Sequence, residues 1–170
     1  MQYAGGWQRF NASVIDGMIV GAVLFVISLM TSANIDLMSL LGLGGEDDTR
    51  EKLLGIAIAF IYSVLFMGSS WQATPGMRWR KIYVIKPDGE SVNYINAVCR
   101  FLAFSAPLVF DFMDFGGASV MGYIAYIAWY VPIIYTREKT GVHDMICSTR
   151  VVRGKPDFTA SILLPTPPSL

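Results

Sequence analysis

Ala12-Ser-Val-Ile-Asp16-Gly17-Met-Ile-Val-Gly21-Ala-Val-Leu24-Phe-Val-Ile-Ser-Leu-Met30 is the stretch that decides the fold class. Its only charge is Asp16. A helix crosses a bilayer with about 20 mainly apolar residues at about 1.5 Å each, and this run has that length. The pattern recurs twice. Leu53 to Met67, extendable to Ser69, carries no charge, and between Arg100 and Arg137 the only charges are Asp111 and Asp114. This last region is too long for one helix. It suits a tight hairpin with helices near 99–113 and 118–135, turning at Asp111-Phe-Met-Asp114-Phe-Gly116-Gly117, where glycines and acids break the apolar pattern.

Composition agrees. Of 170 residues, 54% are hydrophobic and only 15% charged, and the mean hydropathy is +0.48. A soluble domain carries nearer a quarter charged residues. The net charge of +0 creates no field to attract nucleic acid, so no nucleic-acid partner is expected. Two cysteines and one histidine are too few for a Cys/His zinc site; no metal and no cofactor is expected.

The basic residues orient the spans. Arg9 alone precedes the first. Arg50 and Lys52 sit in a loop dominated by Asp36, Glu46, Asp47, Asp48 and Glu51. Two clusters remain: Arg78, Arg80, Lys81, Lys86 and Arg100, then Arg137, Lys139, Arg150, Arg153 and Lys155. Basic loops stay cytoplasmic. Four spans put both clusters on that side, with both termini, whereas three would strand one outside. A cleaved signal peptide is the competing reading of the first run. Asp16 and the lack of basic residues before Arg9 favour a retained helix.

Between the spans, Lys81-Ile-Tyr-Val-Ile85 is β-prone and Pro87-Asp88-Gly89 is a turn, predicting a hairpin that returns through Glu90 to Asn93. Thr149-Arg-Val-Val152 is a second β-prone piece, expected to pair with 81–85 in a small cytoplasmic sheet. The apolar patch Leu37–Leu43 inside the acidic loop suits a membrane interface. Residues 1–153 read as one membrane domain and 154–170 as a flexible tail rich in proline. The fold class is all-α integral membrane, a four-helix transmembrane bundle with a small cytoplasmic β-hairpin element.

Asp16 is the most informative residue. A carboxylate inside an apolar span is costly and turns to the bundle interior or to water. Arg9 lies two turns below on the same face with Ser13 between them, so the set reads as an ion or proton site or as an ion-pair network fixing helix packing. Ser13, Gly17 and Gly21 recur at four-residue spacing, a surface that lets helix backbones approach. Arg78, Arg80 and Lys81 follow Thr74-Pro75-Gly76 without a phosphate-loop signature and suit lipid headgroups, with Trp71 and Trp79 as interface anchors. Tyr123, Tyr126 and Tyr130 share one helix face, for bundle packing or a cavity wall. His143-Asp144 lacks a Gly-x-Ser-x-Gly elbow, so no catalytic residue is expected; a hydrogen-bonded cap is the plainer reading. Cys99 and Cys147 fall on the cytoplasmic side, where thiols stay reduced.

These pieces together resemble the RDD family of small bacterial membrane proteins. The similarity lies in Tyr3-Ala-Gly-Gly-Trp-Gln-Arg9-Phe with Ala12-x3-Asp16-Gly17, in Thr74-Pro-Gly76 with Ile82–Ile85 and Asp88-Gly89, in Arg100-Phe-Leu, and in Gly141-Val-His143-Asp144 through Val152. The resemblance implies that Arg9, Asp16 and Asp144 are the namesake residues. Met77 stands where the family often has lysine, a role that would pass to Arg78 or Lys81. It also implies a bacterial inner (cytoplasmic) membrane, and either of two functions linked to family members, cation/proton antiport or work beside larger membrane machinery. The expected function is that of a non-enzymatic, multi-pass accessory, assembly or regulatory subunit of a larger membrane complex. Arg9, Asp16, Asp144, Ser13, His143 and Arg100 would form its intramembrane polar network. The expected partners are membrane lipid and a larger complex or a homo-oligomer. The alternative is a cation/proton antiporter working as an oligomer, with Asp16 exchanging the proton. A membrane hydrolase is a third reading, without a nucleophile motif to carry it.

Overall fold

A computed structural model describes residues 2–31, 49–112 and 118–156. The expected turn at 111–117, the acidic loop with its Leu37–Leu43 patch, and the tail lie wholly or largely outside them. The long helix α1, Gly6–Thr31, contains the deciding stretch. It is followed by α2, Thr49–Gly68; the short α3, Pro75–Trp79; β1, Ile82–Ile85; and α4, Tyr94–Ser105, extended by a 3-10 segment Ala106–Phe112. Then come α5, Ala118–Tyr130; α6, Pro132–Tyr135; α7, Val142–Ile146; and β2, Arg150–Arg153.

The chain is helical with one small sheet. Among the described residues, only Gly6–Met30 is a helix both long and apolar enough to cross a membrane; Lys52–Gly68, Tyr94–Phe110 and Val120–Tyr135 are shorter apolar helices. Almost none of the α1 span is buried in the protein, and Phe10, Met18, Phe25, Leu29 and Met30 stand exposed. A soluble core helix hides its apolar residues, whereas this one presents them to its surroundings, as a lipid-facing helix does. The third and fourth apolar regions are interrupted. The α4 ladder tightens to 3-10 at Ala106, and Pro132, which has no N–H to donate, divides α5 from α6.

Local chemistry sets the short elements. Thr74 caps α3, its hydroxyl accepting from Met77 N–H at 3.3 Å, with Pro75 at the first helical position, where its missing donor costs nothing. Asn93 caps α4 by accepting from Asn96 N–H at 2.8 Å.

The sheet corrects the expected hairpin. β1 pairs antiparallel with β2, Ile82 opposite Arg153 and Ile85 opposite Arg150, while the return at 90–93 contributes one isolated bridge, Ile85 to Ser91. Two strands alone are marginal in water. Here residues 2–4 add to the free edge of β2, through Tyr3 opposite Val152 and Ala4 N–H to Val151 O at 2.9 Å. Both faces are covered. Ala4, Ala12, Met67, Ile82, Val84 and Val151 form one core, and Ala73, Tyr83, Ile85 and Val152 a second. Gln72 ties the other edge. Its backbone carbonyl accepts from Val84 N–H at 2.8 Å, and its side-chain amide donates to Ser69 O at 2.7 Å and Val92 O at 2.9 Å.

Candidate functional site

Three segments distant in sequence converge on Asp144, which is 0% exposed. α7 carries the carboxylate, the first turns of α1 carry Arg9, and the middle of α4 carries Arg100. Arg9 Nη1 donates to Asp144 Oδ2, and Arg100 Nη1 donates to Oδ1. Gly141 N–H also donates to Oδ2, at 2.9 Å, so the carboxylate caps its own helix. The arginines are tied further. Arg9 Nη2 donates to Lys139 O at 2.6 Å and Nε to Ala4 O at 3.2 Å, while Arg100 Nη1 donates to Thr149 Oγ1 at 2.7 Å. A buried ion persists only when paired and hydrogen-bonded, and Asp144 is both.

Burial by itself would raise the Asp144 pKa. The Arg100 and Arg9 guanidiniums overcome it and hold the carboxyl below its ordinary range, so it stays ionised. Beside it, His143 is pushed down to about 3 by burial and by Arg100, against the opposing pull of Asp144. The imidazole is therefore neutral. It packs edge-on against Phe104 and tilted against Tyr130, each at 5.7 Å. Its Nε2 lies 3.5 Å from Asp144 Oδ1, and its buried Nδ1 has no hydrogen-bond partner among the described residues.

Asp16 takes a separate set of partners. Tyr62 Oη donates to Oδ1 at 2.6 Å, Thr74 Oγ1 to Oδ2 at 2.5 Å, and Gly76 N–H to Oδ1 at 2.7 Å. The carboxylate thereby joins α1 to α2 and to the start of α3. Gly76 has to be glycine, because a Cβ there would run into the Ala12 carbonyl and the Asp16 carboxyl. Arg9 and Asp16, read from sequence as one set on a shared helix face with Ser13 between them, serve two networks instead. Arg9 turns toward α7 and Asp16 toward α3, which the spacing along one helix cannot reveal.

The small-residue stripe, read from sequence as a surface for helix approach, borders open space within the chain. Ser13, Gly17 and Gly21 line a cavity of about 440 Å³ between α1, α2 and α4, and a Cβ at Gly17 would meet nothing within 4 Å. Among the described residues, no second helix closes on this glycine. The same cavity reaches Arg9, Asp16, Tyr62, Arg100, Tyr130 and His143. Arg78, Arg80 and Lys81 are exposed; the Arg78 guanidinium lies 4.2 Å from the Trp71 ring centroid, and Met77 packs against the core. Cys99 and Cys147, expected as thiols, are joined as a disulfide with Cα atoms 5.9 Å apart. The expectation rested on compartment, whereas the fold places α4 and α7 side by side.

Tyr62 and Thr149 were not singled out from sequence as partners of the site. Only the β-prone Thr149 strand and the polar Tyr62 in an apolar run gave any signal. Among the described residues, no three His, Cys, Asp or Glu side chains are placed to hold a metal ion.

The chain is 29% identical over 163 residues to the uncharacterized protein YxaI of Bacillus subtilis (strain 168), covering 88% of this chain and 96% of that relative. No solved structure matches it. Residues 3–148 match the RDD family model, a span that takes in Arg9, Asp16, Arg100 and Asp144, and the chain belongs to the RDD family.

Proposed function

We propose that this membrane protein is a non-enzymatic accessory, assembly or regulatory subunit of a larger membrane complex. The observation that carries the reading is that both key carboxylates are spent on holding segments together. Asp144 receives two guanidiniums and a backbone N–H, and Asp16 receives three donors from α2 and the Thr74–Gly76 turn. A carboxylate that exchanges protons with a passing cation needs open coordination sites, and these have few. The same reading takes α1, α2, α4 with its 3-10 extension, and α5 with α6 as four spans, with the sheet and both termini cytoplasmic. The two basic clusters support this orientation. Arg78, Arg80 and Lys81, exposed on the sheet side, would meet lipid headgroups.

One observation favours cation/proton exchange as a second reading. The cavity brings Ser13, Tyr62, Ser63 and Ser105 to the same space as Asp16, which supplies more than one polar group along an apolar path.

The test is purification of the tagged chain in mild detergent, with native mass spectrometry and a proteoliposome flux assay. The accessory reading expects a larger partner at fixed stoichiometry and no pH-driven cation flux. A homo-oligomer whose cation flux disappears in Asp16→Asn while its fold persists establishes the exchange reading instead.

A further inference from the structure

We propose that the cavity between α1, α2 and α4 is a lipid-binding site, holding one acyl chain whose monoanionic headgroup rests against Arg9 and Arg100. The inference is independent of the accessory reading.

Shape is the first argument. The cavity, about 440 Å³, is within the range of small-molecule sites. Its α1 wall runs from Arg9 to Leu24, about 22 Å at about 1.5 Å per residue. That is longer than half of a hydrocarbon core of about 30 Å. Small residues face it from both long helices, Gly17 and Gly21 from α1 and Gly55 and Ala59 from α2. Helices bearing such residues ordinarily close on each other. Here the space in front of Gly17 is open beyond 4 Å, leaving width for a chain instead of a helix contact.

Charge is the second argument. The polar end holds two guanidiniums against one carboxylate, and Arg9, Arg100 and His143 all contribute to the wall. Arg9 and Arg100 share the single carboxylate of Asp144, so this buried end carries one net positive charge. Further along the wall stand Asp16, hydrogen-bonded by three neutral donors, and Lys52, of opposite sign. A cation would be repelled here, and a plain hydrocarbon would leave the charge unanswered. A carboxylate or phosphate head would answer it, and His143 Nδ1, buried without a partner among the described residues, is a further polar atom at this end. The walls beyond are mainly apolar side chains such as Val20, Leu24, Ile56, Phe101 and Leu108, which suits an acyl chain and excludes a small soluble anion as the preferred occupant.

The experiment uses the full chain in a neutral detergent with three probes, read by native mass spectrometry and thermal shift. Oleate has chain and charge, oleyl alcohol the chain alone, and inorganic phosphate the charge alone. Oleate is expected to bind about tenfold or more tighter than oleyl alcohol, the scale of one charge-assisted hydrogen bond, and phosphate to give no shift. Gly17→Leu fills open space and leaves the buried polar groups intact; Ser13→Leu blocks the same wall one turn away. Both are expected to fold and to lose oleate binding. Equal binding of oleate and oleyl alcohol overturns the proposal. So does phosphate binding as well as oleate, or oleate binding unchanged in both variants.

Discussion

Arg9 and Asp144 are 135 residues apart in the chain and form a buried ion pair. The start of the long apolar helix is thereby joined to the closing motif, and Arg100 brings α4 to the same carboxylate. Three chain segments with no sequence proximity share one ion. This is where the helical layer and the small sheet meet, since the Arg100 partner Thr149 immediately precedes β2.

Asp144→Asn removes the carboxylate and leaves two guanidiniums facing each other out of water. Truncating one member of a buried pair costs about 3–5 kcal/mol. The variant is expected to unfold at a markedly lower temperature in detergent. A loss smaller than that of an exposed pair such as Lys86–Glu90 would mean that the triad is not the lock.

Two glycines on the same framework should respond in opposite directions. Gly76→Ala places a methyl against the Ala12 carbonyl and the Asp16 carboxyl, so α1 and α3 must separate and the Asp16 bonds weaken. Destabilisation of about 2 kcal/mol or more is expected, the scale of overpacking. Gly17→Ala meets open space in a helix interior and should stabilise by about 0.5–1 kcal/mol. Thermal unfolding of the pair checks both signs.

Acid should weaken the fold in a defined window. His143 titrates at 6.5 when unperturbed and at about 3 in the folded chain. Between those values the unfolded chain binds more protons, so stability falls as the pH drops from 6.5 toward 3. Asp144, held below its ordinary 3.8, adds to the loss only once the pH falls below that value. Melting temperatures from pH 7.5 to 4.5 should decline in the wild type and flatten in His143→Gln.

The Cys99–Cys147 bond closes a loop across a sequence separation of 48. Chain entropy for that length corresponds to about 4 kcal/mol. Reduction, or Cys99→Ser, should lower the unfolding temperature of the α4–α7 contact without displacing Asp144 from the arginines. Thiol alkylation with mass analysis of the protein, before and after reduction, reads the bond directly. Full alkylation of the unreduced chain would show it unformed.

Much of the outline was legible from residues alone. Ala12–Met30 announced α1 because an apolar run of that length has few soluble uses. The family pattern marked Arg9, Asp16 and Asp144. The strand pairing of 81–85 with 149–152 was also readable, since both pieces are β-branched and both follow apolar regions. The hairpin returning through Glu90 to Asn93 forms only as a turn with one bridge. The Pro-Asp-Gly turn does reverse the chain, with Lys86 N–H donating to Glu90 O and Ile85 bridging Ser91, but the other edge of β1 is taken by β2, and on the return side Gln72 accepts from Val84 N–H in place of a continuing strand.

The sequence by itself determined the class of molecule, a helical membrane protein with a small sheet, because hydrophobic run length, charge sign and turn residues act locally. Only the tertiary structure decided which charge met which. Arg9 and Asp16 share a helix face yet part ways, since each is drawn to the nearest partner on another segment. Gly17 and Gly21 line the cavity, and in front of Gly17 no described atom lies within contact of a Cβ. A helix periodicity states which residues face one way, and the placement of the other helices states what they face.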